Sequence, residues 1–371
     1  MAELALVVGG KRYGGWKSIR VTRSIESLVG SFALDVSDRW GPDDLWPVAE
    51  GDACRVEIDG QLVVDGYIDK RSLKGSATER SLSYSGRDRA ADLVDCSLLV
   101  EDGAIIGKKG HKWTYRNLDI AQFAAAIAAP HGIKVSVQAG LVLKKDPLLV
   151  AHPGETGFEA IKRAAGSTGV LVVSDGAGGI MITRAGTERA YSLVEGVNIK
   201  EAEIDYDASD RFHRYLISSQ PPGSDDASGE ATRVQAEATD ADVLRTNRIL
   251  LIRPDKGMDT ATARRRADWE ARIRAAKAAT AMVTVQGWEQ PNGSLWPLNA
   301  ITRLFAPRLI GIDGDMLISQ VEFTVGESGQ ITQLHLVRPD AFTPEPQNVP
   351  VVSGEALWKE LTPDKLAKGS K

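Results

Sequence analysis

Alternation of apolar and polar positions dominates the first hundred residues. LALVVGGKRY (4–13) reads as a strand, a Gly-Gly turn and a second short strand. Ile19 and Val21, then Phe32, Leu34 and Val36, fall at period two, which marks strands with one buried face. The clearest hairpin follows. Val56 and Ile58 share a face, Asp59-Gly60 makes the turn, and Leu62, Val63 and Val64 return. RSLSYSGRDRA (80–90) is a further strand. Short strands with turns at close spacing predict a barrel or a sandwich.

The period then changes. Ile120, Phe123, Ala124 and Ile127 form the apolar stripe of a helix that Pro130 and Gly132 stop, and a strand follows. The plan repeats once. Glu155-Thr156 opens a helix, Gly166 to Gly169 ends it, and VLVVS and IMIT are strands joined by a Gly-rich turn. From Tyr191 the strand rhythm resumes, interrupted by the polar, Gly/Pro-rich loop PPGSDDASGE (221–230). The strongest helix lies at 259–279, with Asp259 as N-cap and Trp269 and Ile273 on one face. It runs into AMVTVQGW and three more strands. The fold class expected is mainly β with an α+β insert. Two similar β-barrels, 1–95 and 186–342, flank a small α+β domain at 96–185, and 186–206 is a candidate segment to complete the first barrel. Residues 343–371 read as a flexible tail with one short helix around Leu357-Trp358.

One block is written twice. Leu45-Trp46-Pro47 and Leu295-Trp296-Pro297 each precede alternating strands, and Ile58-Asp59-Gly60 is matched by Ile312-Asp313-Gly314. The pattern predicts duplicated barrels, each entered through a Trp-Pro corner, with Gly60 and Gly314 in equivalent hairpin turns.

Composition narrows the chemistry. The chain has 371 residues, 43% hydrophobic and 26% charged, with a net charge of −5. Bulk charge therefore gives no grip on nucleic acid, although a mildly acidic wall can surround DNA without sticking to it. Two scattered cysteines, Cys54 and Cys96, suit a reducing compartment. The N-terminus has no basic n-region or long apolar run, so no secretory leader and no stable membrane insertion are expected.

Candidate sites are weak throughout. His111, His131, His152, His213 and His335 form no HxH, HxxxH or HExxH. DYDASD starts like a calcium loop with Asp205, Asp207 and Ser209. Asp210 stands where glycine is needed, however, and Leu216 stands where a bidentate glutamate belongs. Gly103–Lys112 lacks the phosphate-loop spacing and reads as a solvated basic loop. Glu155 and Glu159 are spaced for a helix face and have no aromatic sugar platform to serve. The Arg264–Arg266 run is interleaved with Asp268 and Glu270, as on a salt-bridged surface helix. No catalytic, metal or cofactor residue is assigned, and the chain reads as a non-enzyme.

The stretches VTRSIESLVGSFALDVSDRW, GDACRVEIDGQLVVDGYIDK, SYSGRDRAADLVDCS, VTVQGWEQPNGSLWPLNAITRLFAP and DMLISQVEFTVGESGQITQLHLVRPDAF stand in an order that resembles the baseplate hub family (tail protein P) of Mu-like contractile-tailed bacteriophages. That family is related to myophage hubs and to the N-terminal part of type VI secretion spike proteins. The resemblance implies a homotrimeric ring with pseudo-six-fold symmetry. It would be a structural adaptor between a six-fold tail tube and a three-fold central spike, contacting baseplate wedge proteins and leaving a channel for DNA in transit. It implies residence in the virion tail baseplate after assembly in the host cytoplasm. Two other readings differ in class. A carbohydrate-binding or depolymerising tail protein needs a tryptophan-lined groove with paired carboxylates, for which Trp40, Trp46 and Trp296 are the candidates. A secreted spike or effector needs a downstream β-helix or toxin domain.

Overall fold

The computed structural model describes residues 3–37, 48–75, 80–98, 114–152, 154–186, 188–219, 234–254, 258–326 and 329–346. The chain divides into two compact units, 1–211 with 272–345 and 212–271 with 346–371. The expected tail from residue 347 onward, with Leu357 and Trp358, lies outside the described residues.

The first unit opens with seven strands: β1 (Leu4–Val8), β2 (Lys11–Tyr13), β3 (Ser18–Ser24), β4 (Ser31–Ser37), β5 (Ala53–Ile58), β6 (Gln61–Gly75) and β7 (Arg80–Asp88). The β5–β6 turn is Asp59-Gly60 with φ of 47° and 80°, the left-handed pair that a two-residue hairpin requires. A helical segment follows, with α1 (Ala91–Asp95), β8 (Thr114–Tyr115), α2 (Ile120–Ala128), β9 (Val135–Val137), β10 (Leu149–Val150), α3 (Gly157–Thr168), β11 (Leu171–Ser174) and β12 (Ile180–Thr183). Both longer helices start on capping boxes, Asp119 with Gln122 and Thr156 with Glu159, so their first orphan amides are satisfied locally. Their apolar faces meet over one core that includes Phe123, Ile127, Ile161 and Ile180.

The remaining elements are β13 (Glu188–Arg189), β14 (Leu193–Val194), β15 (Ile199–Tyr206), β16 (Arg214–Ser219), β17 (Val234–Thr239), β18 (Ile249–Ile252), α4 (Thr260–Lys277), β19 (Ala279–Gln286), β20 (Ala300–Ala306), β21 (Ile312–Gly326) and β22 (Gly329–Val337). Asp259 caps α4 by accepting from the Thr262 amide at 2.7 Å. Residues 212–271, which strand rhythm joined to the second barrel, form their own unit. Its sheet runs β17-β16-β18, and its core holds Tyr215, Ile217, Ala238, Met258, Ala263 and Ala267.

Fourteen strands of the first unit join in one sheet, β15-β19-β22-β21-β3-β4-β7-β6-β5-β1-β2, with β20 on β21 and with β13 and β14 on β20. This path has two ends, so its ladders do not close the two separate barrels expected from the strand rhythm. The cause is β21, which serves three strands. It pairs with β20 along Ile312–Leu317, with β22 along Leu317–Gly326 and with β3 along Gln320–Val325. That last ladder fuses the first and last thirds of the chain. Residues 188–206 belong to this second block, pairing with β20 and β19 rather than completing the first. A single apolar core runs through both blocks, from Val21, Leu34, Val56 and Tyr84 to Val283, Trp288, Phe323 and Leu334.

Candidate interaction surfaces

The sheet contains one five-strand plan twice. β3-β4-β7-β6-β5 and β15-β19-β22-β21-β20 have the same order, and every neighbouring pair is antiparallel. The long strands β6 and β21 each have 15 residues, and the central strands β7 and β22 each have 9. A bulge falls at the same place in both. Ile68 faces Gly86 and Lys70 faces Ser85, just as Ile318 faces Leu336 and Gln320 faces His335, every position 250 residues from its counterpart. The approach to each meander also matches. The Gly51 amide donates to the Ile68 carbonyl at 2.8 Å, and the Asn299 amide donates to that of Ile318 at 3.0 Å. Both donors sit in left-handed backbone, with φ of 90° and 62°.

The duplication is real at the level of strand order, but the sequence pairing of turns is corrected. Gly60 lies in a turn, whereas Gly314 lies within β21 opposite Leu304. The β20–β21 link is the five residues Pro307–Gly311 in place of two, so Ile312-Asp313-Gly314 begins a strand. Of the two Trp-Pro corners, Trp46 and Pro47 lie outside the described residues. The two blocks differ most between their first two strands. β3 and β4 are joined by Ile25–Gly30, whereas β15 and β19 are separated in sequence by the whole 212–271 unit.

The first block is pinned to the helical segment through Asp88. Its buried carboxylate accepts from the amides of Gly30 at 2.7 Å and Ala90 at 3.1 Å. Arg23 lies close by and donates to the Ser174 carbonyl. Burial pushes the Asp88 carboxyl up, partly countered by its hydrogen bonds to Ser174 and these amides and by the Arg23 charge. The folded state therefore binds this proton more tightly than the unfolded chain does, so acidification favours folding through this group. Wild-type protein should gain stability relative to Asp88→Asn as pH falls from 7 toward 4. Urea midpoints of the two proteins across that range check this, and a gap that stays flat or moves the other way contradicts it.

Residues singled out as candidate chemistry are mostly spent on local structure. Glu155 accepts from Arg163 at 2.8 Å and from the His152 amide, and Glu159 completes the α3 capping box. Asp207 accepts from the Ser209 amide at 2.8 Å, while Asp205 is an exposed β15 residue. His131 ends a short 3-10 turn, the His213 Nδ1 lies 2.8 Å from the Val243 carbonyl, and His335 lies within β22. His111 and the whole Gly103–Lys112 loop lie outside the described residues. On α4, Arg264 pairs with Asp268 and Arg266 with Glu270, and the Arg266 guanidinium covers the Trp269 ring at 4.6 Å. Among the described residues no group of three or more His, Cys, Asp or Glu can hold a metal ion. Cys54 is buried, and burial with nearby Asp65 pushes its thiol up to about 12. Among the described residues no helix is long and apolar enough to cross a membrane.

A depression of about 500 Å³ lies beside Trp288 and Trp296, with Glu289 as its one carboxylate among the described residues. Both tryptophans are buried, so neither presents a ring face to a sugar. Trp40 lies outside the described residues. What remains prominent is the sheet itself, with its repeated plan and its unpaired edges.

Comparison with known proteins places this architecture. Residues 3–88 match the N-terminal domain of the Mu phage baseplate assembly protein GpP-like family. Residues 90–184 match the second domain of the baseplate hub protein gp44-like family, and 259–345 the fourth domain of the Mu phage baseplate assembly protein GpP. Baseplate hub protein gp44 of Escherichia phage Mu is 32% identical over 352 residues, covering 91% of this chain and 88% of that protein. The 43 kDa tail protein of prophage MuSo2 from Shewanella oneidensis superposes with a TM-score of 0.80 at 31% identity, covering 92% of this chain and 99% of that one. A more distant fold relative is the c3393 protein of E. coli, a type VI secretion system component, with a TM-score of 0.55 at 10% identity over 90% of this chain and 76% of that one. The repeated meanders, the helical segment between them and these matches along nearly the whole length lead to one assignment: the chain belongs to the Mu-like phage baseplate hub family and is a structural component of a phage tail.

Proposed function

We propose that three copies of this chain close into a ring that adapts a six-fold tail tube to a three-fold central spike and leaves a channel for DNA ejection. The observation that carries the reading is the internal duplication. Each chain contributes two blocks of like order and register, so three chains present six similar blocks to one neighbour and three chains to the other. Cyclic closure is the usual outcome of a heterologous interface whose rotation completes a circle. The partners are then the tube, the spike and the wedge proteins of the baseplate, and assembly takes place in the host cytoplasm before the tail is complete. The role is structural and needs no catalytic residue.

Mass in solution tests the reading. Light scattering at micromolar concentration should give about three times the chain mass of 39.9 kDa for the chain alone, or three copies of the chain per complex when spike and tube are present. A monomer under all these conditions, together with tail images that lack a three-fold hub, contradicts it.

A further inference from the structure

Among the unpaired edges of the large sheet in the described residues, two carry complementary rows. One is the outer edge of β15, which pairs only with β19. The other is the second half of β6. β5 covers this strand only as far as Tyr67, so Lys70–Gly75 has β7 on one side and no strand on the other. Open edges are ordinarily blunted or covered, because their free amides and carbonyls accept any strand that arrives.

The duplication says what belongs there. Within one chain, the second half of β21 is covered by β3, with Gln320 opposite Ser24 and Val325 opposite Ile19. β6 is the counterpart of β21, and Lys70 is the counterpart of Gln320. β15 is the counterpart of β3. Ser18 opposes Asp35 as Glu201 opposes Thr284, which makes Ser24 equivalent to Asp207. The edge missing its partner and the strand missing its neighbour are thus the same junction, left open.

We propose that the Lys70–Gly75 edge of β6 takes the β15 edge of a second copy of this chain, antiparallel and in the register that β21 and β3 use within one chain. Lys70 then faces Asp207 of the partner subunit, Ser72 faces Asp205 of the partner subunit, and Lys74 faces Glu203 of the partner subunit. On the other sheet face, Leu73 meets Ile204 of the partner subunit. This deepens the ring reading above and rests on it.

Charge and burial both fit this occupant. Glu201, Glu203 and Asp205 alternate along one face of β15, Asp207 continues the row just past its end while also accepting from the Ser209 amide, and all are exposed. Lys70 and Lys74 are exposed on the matching face of β6, while Arg71 is engaged with Glu50 and the Val48 carbonyl. Like charges directly opposite one another are unfavourable, so neither edge can pair with itself, and the contact runs head to tail. The covered junction inside the chain is also stitched across this face, by Arg20 to Glu322 at 3.3 Å and Thr22 to Glu322 at 3.1 Å. On the apolar face, Phe323 at the covered junction is 2% exposed, whereas its counterpart Leu73 is 49% exposed. Ala202 and Ile204 already pack against the main core, and their row would extend over Leu73.

Cysteine cross-linking of the full chain tests the register. In a Cys96→Ser background, Leu73→Cys with Ile204→Cys should oxidise to covalent trimers on a non-reducing gel. Leu73→Cys with Glu203→Cys, which places the second thiol on the opposite sheet face, should not. Lys70→Glu with Lys74→Glu should weaken association at least tenfold, and adding Glu203→Lys with Asp207→Lys, the residues directly opposite them, to the same chain should restore it. A trimer by mass that fails to cross-link at 73 and 204, or that cross-links equally in both registers, overturns this contact and leaves the ring reading standing. A chain that stays monomeric by mass even with spike and tube present overturns the ring reading and this contact together.

Discussion

Gly86→Ala is expected to be among the most destabilising single-methyl changes in the protein, costing about 3 kcal/mol or more. A Cβ at Gly86 falls 2.0 Å from the Tyr67 carbonyl oxygen and 2.7 Å from the Phe32 ring. On the same seam, a Cβ at Gly66 falls 1.8 Å from the Arg87 carbonyl oxygen. The obstacles are mainly backbone, which a flexible neighbour cannot relieve by changing rotamer. β6 and β7 must separate next to the bulge, and that disturbs the longest ladder of the first block. Gly326→Ala is the control, because among the described residues no atom beyond its chain neighbours lies within 4 Å of its added Cβ and its φ is ordinary. That change should stay within about 0.5 kcal/mol. Urea unfolding of the three proteins decides, and similar midpoints for Gly86→Ala and Gly326→Ala contradict the account.

Trp288→Ala should cost about 3–5 kcal/mol through the cavity it opens in the shared core. The side chain is 1% exposed, meets Phe323 edge-on at 6.4 Å, and donates its Nε1 proton to the Thr324 carbonyl at 3.1 Å. It ties the segment just after β19 to the C-terminal end of β21, the strand that joins both blocks. The neighbouring Trp296 is also buried, but among the described residues its Nε1 has no hydrogen-bond partner. A ring of similar shape without the donor therefore separates the two. Trp288→Phe should lose about 1 kcal/mol more than Trp296→Phe, because it removes a hydrogen bond and strands a carbonyl. Equal losses from the two phenylalanine variants would contradict this assignment.

Local signals in the sequence locate much of this structure. The β5–β6 hairpin is legible because alternation brackets an Asp-Gly pair whose backbone demands fit a two-residue turn. α3 and α4 are legible from the caps at Thr156 and Asp259. The fusion of the two blocks is not legible. Thr22 and Glu322 meet across 300 positions, and no composition or period marks that encounter. A strand alternates in the same way whatever lies at its edge. The same limit explains the misplaced turn at Gly314, since Asp-Gly inside a long strand looks like Asp-Gly at a corner. The true correspondence runs through a bulge at Asp69 and Ser319, a charged carboxylate and a neutral hydroxyl that no sequence motif pairs. The interaction edges were hidden for a related reason. Acidic residues on β15 and lysines on β6 read as ordinary solvated faces until the pairing pattern identifies which edges lack a neighbour.

The ladder between β3 and β21 also sets a timetable for biosynthesis. β3 emerges early from the ribosome, but its partner begins only at Ile312. At synthesis rates of 5–20 residues per second, about 15–60 s pass before that partner exists. Throughout this interval the nascent first block carries the apolar edge Ile19–Val21 without its cover, close to other ribosomes translating the same message. An arriving β21 from a neighbouring chain satisfies that edge as well as the chain's own. Intertwined dimers are therefore the expected by-product of strong overexpression, and slower translation initiation, which spaces the nascent chains apart, is the remedy that addresses the cause.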